Sequence, residues 1–262
     1  MSKNKENTAL CTVQVIKPPL KIEALRRTTT IRVCLPPGYE KSKLRFPVLY
    51  MHDGQNIFDE FTSASGEWGV DETLTKLAIE EGFNIIVVGI DHGGEHRKTE
   101  MNPWDHDKHG KGEGQKYADF IVKKVKSFID HQFRTLAERE HTGIMGSSLG
   151  GLISHYMLAK YPETFSKAAM FSPAYIQSDQ IFDFVKDNPV PNDSKITILA
   201  GEEEGKEVTH SVERMTRILK KINQREEYLE SAVIPKGKHT EDFWRAHFPS
   251  AVRWMFKEDG YY

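Results

Sequence analysis

The feature that most constrains this chain is the pentapeptide GSSLG at positions 146–150, a G-x-S-x-G pattern between a short apolar run and a run with helical spacing. Small residues on both sides of a serine allow a tight turn from a strand into a helix, and this turn leaves the serine hydroxyl exposed. The pattern alone occurs by chance in roughly one chain in ten of this length, given glycine usage of about 7 %. The surrounding sequence therefore decides whether Ser148 is a nucleophile.

The length and composition of the chain predict a soluble globular domain. Its 262 residues can bury a large core, so we expect one domain over residues 1–262. The 38 % hydrophobic and 28 % charged content is typical of a soluble protein. Because 36 basic residues nearly balance 38 acidic ones, the charge gives no support for a nucleic-acid or anionic-membrane partner.

The sequence predicts a cytoplasmic location. No apolar run approaches the ~18 residues that a membrane-spanning helix needs, and the polar residues 1–8 are not followed by the apolar stretch of a secretory signal. Two cysteines, Cys11 and Cys34, fit a reducing compartment. We expect each to be a small buried hydrophobic residue rather than half of a disulfide or a metal ligand.

The hydrophobic pattern predicts a mostly parallel sheet with an antiparallel N-terminal edge. Two β-rich runs, 12–15 and 30–35, form the antiparallel edge. Apolar runs that suit strands buried on both faces follow at 46–51 and 84–90. Further short strand candidates lie at 141–145, 168–171, 195–200 and 228–234. Helical spacing predicts helices over 71–81, 114–133, 149–160, 208–222 and 241–256, with Asp71 as the N-cap of the first. Alternating strands and helices indicate right-handed βαβ crossovers.

A long polar segment, residues 91–114, shows no period of either kind. Loops of this length inside a compact domain are usually functional. The histidines and acidic residues of 91–109 lack the spacing of H-E-x-x-H or a zinc finger, so we predict no metal site and expect this loop to line or cover the active-site mouth. Within it, we expect Arg97 and Glu100 to form a structural ion pair.

The order of residues after Ser148 matches a catalytic triad. A serine hydroxyl needs a base, and the base needs an acid that fixes its tautomer; in α/β-hydrolases the chain order is serine, acid, histidine. The strand 195–200 leads into acidic residues 202–204, with Glu207 also in reach. The strand 228–234 leads to His239, which we prefer as the base over His247 in the following helix.

An oxyanion hole requires two preorganised donors. The backbone N–H of Leu149, next to the nucleophile, is one candidate. The other is expected from the loop after strand 46–51, where Gly54 and Gln55 are candidates. Gly54 is preferred because a residue without Cβ allows the substrate carbonyl to approach the backbone closely.

Four segments together resemble the Putative esterase family of α/β-hydrolases, and the resemblance extends from about residue 20 to about residue 256. The segments are LPPGY at 35–39, FPVLYMHDGQNIF at 46–58, RKTEMNPW at 97–104 and GSSLGG at 146–151. The family includes feruloyl, acetyl-xylan and siderophore esterases and S-formylglutathione hydrolases, and needs no metal or organic cofactor.

The resemblance also implies roles for individual residues. It implies Ser148 as the nucleophile and His239 as the base. It places the acid three residues after the glycine that ends the strand, which selects Glu204. Many members carry Asp there, so Glu203 and Glu207 remain alternatives.

These observations predict an α/β-hydrolase fold with helices on both faces of the sheet, and a serine carboxylic-ester hydrolase that forms an acyl-serine on a small, sugar or aryl ester. The alternatives are a thioesterase of the S-formylglutathione hydrolase kind or an acyltransferase on the same triad, a metal-dependent hydrolase using the His-rich loop, and a non-catalytic binding protein. Trp68 and Trp104 are candidates for aromatic walls of the substrate pocket, and ordinary packing of their loops onto the sheet is an equal alternative. We expect Trp244 and Trp254 on the face of the terminal helix, where Trp244 is close enough to His239 in sequence to border the pocket.

Overall fold

The computed structural model describes residues 5–10, 12–222 and 225–257. In this part of the chain the strands are β1 (Val13–Val15), β2 (Leu20–Ile22), β3 (Arg27–Thr29), β4 (Ile31–Cys34), β5 (Val48–His52), β6 (Ile86–Ile90), β7 (Thr142–Ser147), β8 (Lys167–Phe171), β9 (Lys195–Gly201) and β10 (Leu229–Ile234). The α-helices are α1 (Val70–Glu81), α2 (Arg97–Glu100), α3 (Gly114–Phe120), α4 (Lys126–Gln132), α5 (Leu149–Lys160), α6 (Gln180–Asp187), α7 (Lys206–Lys221) and α8 (Glu241–Phe256).

The central sheet has the strand order β1-β4-β6-β5-β7-β8-β9-β10. The first two pairings, β1 with β4 and β4 with β6, are antiparallel, and the pairings from β6 through to β10 are parallel. The predicted sheet, mostly parallel with an antiparallel N-terminal edge, is therefore confirmed. Parallel strands place their carboxyl ends at one edge, where the loops that bear functional residues meet.

Helices cover both faces of this sheet, as predicted. Alternate side chains of a strand point to opposite faces. In β5, Val48 and Tyr50 belong to a core shared with α3 to α7, whereas Leu49 and Met51 belong to a second core shared with α1 and α8. The uninterrupted apolar sequence of β5 follows from this two-sided burial.

Several elements differ from the prediction. The helix expected over 114–133 contains a π-helical turn, Ile121–Val125, between α3 and α4. A π turn changes the helical register, so Ile121 is fully buried and Val122 only partly. The pattern missed the short helix α6 and the β2–β3 ribbon, whose strands of three residues are too short to show alternation.

The start of α1 and the segment 91–114 also depart from expectation. Helix α1 begins at Val70 after Gly69, which has a left-handed φ of 62°. Asp71 is therefore inside the helix, and its prediction as N-cap is wrong. The segment 91–114 has the expected bounds but contains a short helix, α2.

The structure bears on the expectations for the cysteines and for membrane-spanning helices. Cys34 is buried with a free thiol, and Cys11 lies outside the described residues. Among the helices of the described ranges, none has both the length and the apolar character needed to cross a membrane.

Candidate active site

Ser148 occupies a sharp turn between β7 and α5. Its φ of 56° and ψ of −120° lie outside the regions that a residue with a side chain prefers, at a cost of roughly 1–3 kcal/mol. Neighbouring backbone holds this conformation: the Ser148 N–H donates to the Phe171 carbonyl at 2.9 Å, and the Ser148 carbonyl accepts from the Ala174 N–H at 2.9 Å. The strained turn leaves Ser148 partly exposed at the end of β7.

The glycines of the motif allow the turn to pack closely on neighbouring backbone. They do not supply unusual dihedral angles, since neither Gly146 nor Gly150 has a positive φ. A Cβ on Gly146 would lie 2.7 Å from the Gly150 carbonyl carbon. A Cβ on Gly150 would lie 3.2 Å from the Cβ of His52. The first turn of α5 therefore packs directly on the ends of β7 and β5.

Of the acidic residues after β9, Glu204 is the one beside His239. Its Oε2 lies 2.7 Å from His239 Nδ1, and its side chain is only 1 % exposed. Glu203 and Glu207 are exposed, and the Glu203 carboxylate faces Lys238 Nζ at 3.5 Å. The geometry thus joins the two residues that the family resemblance selected.

The surroundings of Glu204 keep it ionised. Burial acts to raise the pKa of Glu204, but hydrogen bonds from His239, the Ser172 hydroxyl and the Gly201 N–H outweigh it and hold the pKa below the usual value. The last two bonds are each 2.6 Å long and end on Oε1. An ionised carboxylate only accepts hydrogen bonds, so the proton of His239 is placed on Nδ1 and Nε2 is left as a base.

Sequence reasoning missed Ser172, which helps to hold Glu204 beside His239. Ser172, which has a positive φ of 45° and is buried, follows β8 and donates to Glu204. Its hydroxyl oxygen accepts from the Trp244 indole N–H at 2.8 Å, and the edge of the Trp244 ring meets His239 with centroids 5.0 Å apart. The position of Ser172 after a predicted parallel strand, at the same edge as Ser148, is the signal that could have found it.

Close glycine packing brings the acid loop and the histidine loop together. A Cβ on Gly201 would lie 2.2 Å from the backbone of Gly237. The Glu203 N–H also donates to the Gly237 carbonyl at 2.9 Å. The distance between Glu204 and His239 therefore depends on two residues that have no side chain.

We predict that Gly201→Ala both destabilises the protein and slows turnover. The added methyl group must push the two loops apart, and overpacking typically costs about 1–3 kcal/mol. A displacement of about 1 Å at a catalytic group can cost roughly 100-fold in rate. Thermal unfolding and kcat measured on the same preparation test this, and wild-type values for both would show that the loops do not meet as described.

Ser148 and His239 line one cavity of about 330 Å³. Trp68 and Trp244 form aromatic walls of this cavity, and Trp68 stacks on Phe171 with ring centroids 5.8 Å apart. The remaining lining residues are His52, Asp53, Asn56, Ala64, Ser65, His92, Arg97, Ser147 and Glu241. Of the two alternatives for Trp104, the structure shows ordinary packing, because its ring packs against Tyr156 and Phe184.

The candidate oxyanion donors lie on two turns beside the cavity. Leu149 is the first residue of α5, and amides of a first helical turn have no acceptor within the helix. Gly54 and Gln55 lie in the 3-10 turn that follows β5. A Cβ on Gly54 would lie 2.7 Å from the backbone of Gly89. Close packing on β6, and not substrate approach, therefore accounts for this glycine.

A buried ion pair fixes the turn after β5. Arg97 donates to both oxygens of Asp53, at 2.6 and 2.8 Å. Burial opposes ionisation of Asp53, but the charge and hydrogen bonds of Arg97 hold the pKa of this carboxyl below its usual value. The predicted pairing of Arg97 with Glu100 is wrong, because the buried Asp53 carboxylate requires a counter-ion and Glu100 pairs with Arg27 at 3.3 Å.

The other histidine candidates occupy separate places. His247 lies within α8, as expected, with its ring 4.7 Å from that of Phe243. In the 91–109 segment, the His106 and His109 rings stack 4.6 Å apart, and only His92 and Arg97 line the cavity. Among the described residues, the three side chains close enough to share a metal ion lie elsewhere, before and at the start of α1.

Comparison with known proteins decides the family. The family model described as Putative esterase matches residues 22–255. The chain belongs to this family. It is accordingly a carboxylic ester hydrolase.

Individual relatives are distant, and the solved structures share the fold. The chain is 24 % identical over 235 residues to the uncharacterized protein YbbA of Bacillus subtilis, covering 85 % of this chain and 90 % of that protein. A ferulic acid esterase structure has a TM-score of 0.71 at 16 % identity, covering 94 % and 99 % of the two chains. The siderophore hydrolase EstB from Aspergillus nidulans has a TM-score of 0.72 at 14 % identity, covering 95 % and 97 %. The Putative esterase has the predicted α/β-hydrolase fold.

Proposed function

We propose that this Putative esterase hydrolyses carboxylic esters through an acyl-serine intermediate, with Ser148 as nucleophile, His239 as base and Glu204 as the residue that orients the base. The observation that carries the proposal is the short contact between the buried Glu204 carboxylate and His239 Nδ1, at a cavity that Ser148 also lines. This is the relation between acid and base that a serine hydrolase requires.

In this mechanism, Ser148 Oγ attacks the ester carbonyl while His239 Nε2 accepts the hydroxyl proton. The resulting imidazolium faces Glu204, whose negative charge stabilises it. The tetrahedral oxyanion accepts hydrogen bonds from the Leu149 N–H and from one N–H of the turn after β5, which we assign to Gly54, with Gln55 as the alternative. His239 then protonates the leaving alcohol, and a water activated by the same imidazole releases the acid.

The cavity favours small esters with an aromatic or sugar component. Its volume of about 330 Å³ accommodates a small acyl group, and Trp68 and Trp244 offer flat apolar walls. The fold neighbours include a ferulic acid esterase, whose name describes an ester of an aromatic acid, and a siderophore hydrolase. We therefore propose a small aryl or sugar ester as the substrate.

A substrate panel tests this proposal and separates its alternatives. We expect kcat/KM to be at least tenfold higher for aryl or sugar esters than for S-formylglutathione or another small thioester, with water as the acyl acceptor. A reversed preference would indicate a thioesterase on the same triad. Product that accumulates only with an added alcohol would indicate an acyltransferase.

A histidine variant tests the alternative of a metal-dependent hydrolase built on the 91–109 segment. A mechanism that used His106 and His109 as ligands would lose activity in His106→Ala. The serine route predicts that this variant keeps kcat within about twofold of wild type, because the two rings stack on each other and do not line the cavity.

A further inference from the structure

A cluster of three carboxylates lies where the loop before α1 enters the helix. One oxygen each from Glu67, Asp71 and Glu72 can be chosen so that all lie within 4.8 Å of one another. Glu67 is 6 % exposed and Asp71 is fully buried, whereas Glu72 is exposed. The cluster is separate from Ser148, Glu204 and His239.

Two oxygens of this cluster are buried without a hydrogen-bond partner, Glu67 Oε1 and Asp71 Oδ1. The second oxygen of each carboxylate is engaged by the N-terminal segment: Thr8 Oγ1 donates to Glu67 Oε2 at 2.9 Å, and the Leu10 N–H donates to Asp71 Oδ2 at 2.8 Å. Each carboxylate is thus fixed by the N-terminal segment through one oxygen. A buried polar atom with no partner costs about 1–3 kcal/mol, so these two oxygens call for a ligand.

The negative charge of the cluster is only partly balanced. The guanidinium of Arg245 approaches the cluster, but it donates to the backbone carbonyl of Glu67. The Asp71 and Glu72 carboxyls lie within hydrogen-bonding reach of each other. A bound cation would remove this mutual repulsion.

We propose that Glu67, Asp71 and Glu72 bind a hard divalent cation, for which Ca²⁺ is the best fit. Three oxygens within 4.8 Å of one another have a common point no more than about 2.8 Å from each, so small side-chain adjustments bring all three to the distance of about 2.3–2.6 Å that Ca²⁺ keeps from its oxygen ligands. A set made only of carboxylates suits Ca²⁺ or Mg²⁺ better than zinc, which prefers His and Cys. The exposed side at Glu72 leaves room for the waters that complete the coordination shell.

Such an ion would connect the N-terminal segment to a wall of the catalytic cavity. Thr8 and Leu10 contact the cluster directly, and Trp68, which lines the cavity, follows Glu67 in the chain. The ion would stabilise this wall without contacting the triad. Cation binding at this cluster is therefore independent of the proposed esterase mechanism.

Titration of chelator-treated full-length protein with Ca²⁺, and separately with Mg²⁺, tests the site. We expect Ca²⁺ at about 100 times its Kd to raise Tm on the order of 5 °C. We also expect Tb³⁺ to bind at the same site, to show luminescence when tryptophan is excited, and to be displaced by Ca²⁺. Excitation of Trp68 should dominate this signal, so Trp68→Phe should reduce the luminescence without reducing the Tm shift.

Two variants and a matched control assign the binding to the cluster. Glu72→Gln should weaken Ca²⁺ binding at least tenfold, and Asp71→Asn should do the same, while Glu80→Gln, the same change elsewhere on α1, should leave Kd unchanged. No Tm shift with millimolar Ca²⁺ or Mg²⁺, or equal binding by all three variants, would overturn the proposal. A higher Tm of Asp71→Asn without any response to cations would show that a shared proton alone neutralises the cluster.

Discussion

Ser148→Ala is expected to lower kcat for a p-nitrophenyl acyl ester by about five to six orders of magnitude with little change in KM, because removal of a nucleophilic serine abolishes the covalent route and leaves only substrate binding and oxyanion stabilisation. The strained φ of 56° is not needed by a buried structural serine and costs free energy. The turn therefore serves to expose this hydroxyl. Initial rates across a range of ester concentrations give both constants.

Ser147→Ala is the matched control for this experiment. Ser147 is the neighbouring serine of the same motif and ends β7 in regular strand conformation. We expect this variant to keep kcat within about tenfold of wild type, since it loses a small side chain but no reacting atom. The mechanism would be contradicted if the two variants exchanged these outcomes.

Glu204→Gln is expected to lower kcat by roughly three to four orders of magnitude. A glutamine at this position can donate its amide N–H to His239 Nδ1, which favours the tautomer whose Nε2 carries the proton and cannot act as a base. The short bond at 2.7 Å makes His239 sensitive to this change. The fold should survive, because the amide oxygen can still accept from Ser172.

The neighbouring glutamates provide the comparison. Glu203→Gln and Glu207→Gln remove the same charge from exposed positions, and we expect each to keep kcat within about threefold of wild type. A large loss of kcat in Glu203→Gln with a small loss in Glu204→Gln would show that Glu203, and not Glu204, orients His239. Steady-state kinetics of the three variants at one pH is sufficient.

The parts of the fold that depend on short-range pattern were predictable from the sequence. The apolar runs that became β5 and β6 are buried on both faces, and that requirement leaves a continuous hydrophobic signal. The order of Ser148 and His239 after their strands was equally visible, because parallel strands carry their functional loops at one edge. The choice of Glu204 over its neighbours came from family resemblance and not from spacing.

Contacts between distant segments were not predictable in the same way. Arg97 pairs with Asp53, 44 residues away, because a buried carboxylate needs a cation, and only the fold shows which carboxylate is buried. The undecided role of Trp104 and the wrong reason given for Gly54 have the same origin, since each residue packs against elements remote in sequence. Burial and tertiary neighbours, which a single sequence does not display, decide these cases.

The most direct test of the account is to locate the covalent adduct of an aryl phosphonate inhibitor by mass spectrometry. We expect one adduct per chain, on Ser148 within the tryptic peptide 140–160, with activity lost in proportion to labelling and no adduct in Ser148→Ala. Inactivation with the adduct on another residue, or equal labelling of Ser148→Ala, would contradict it.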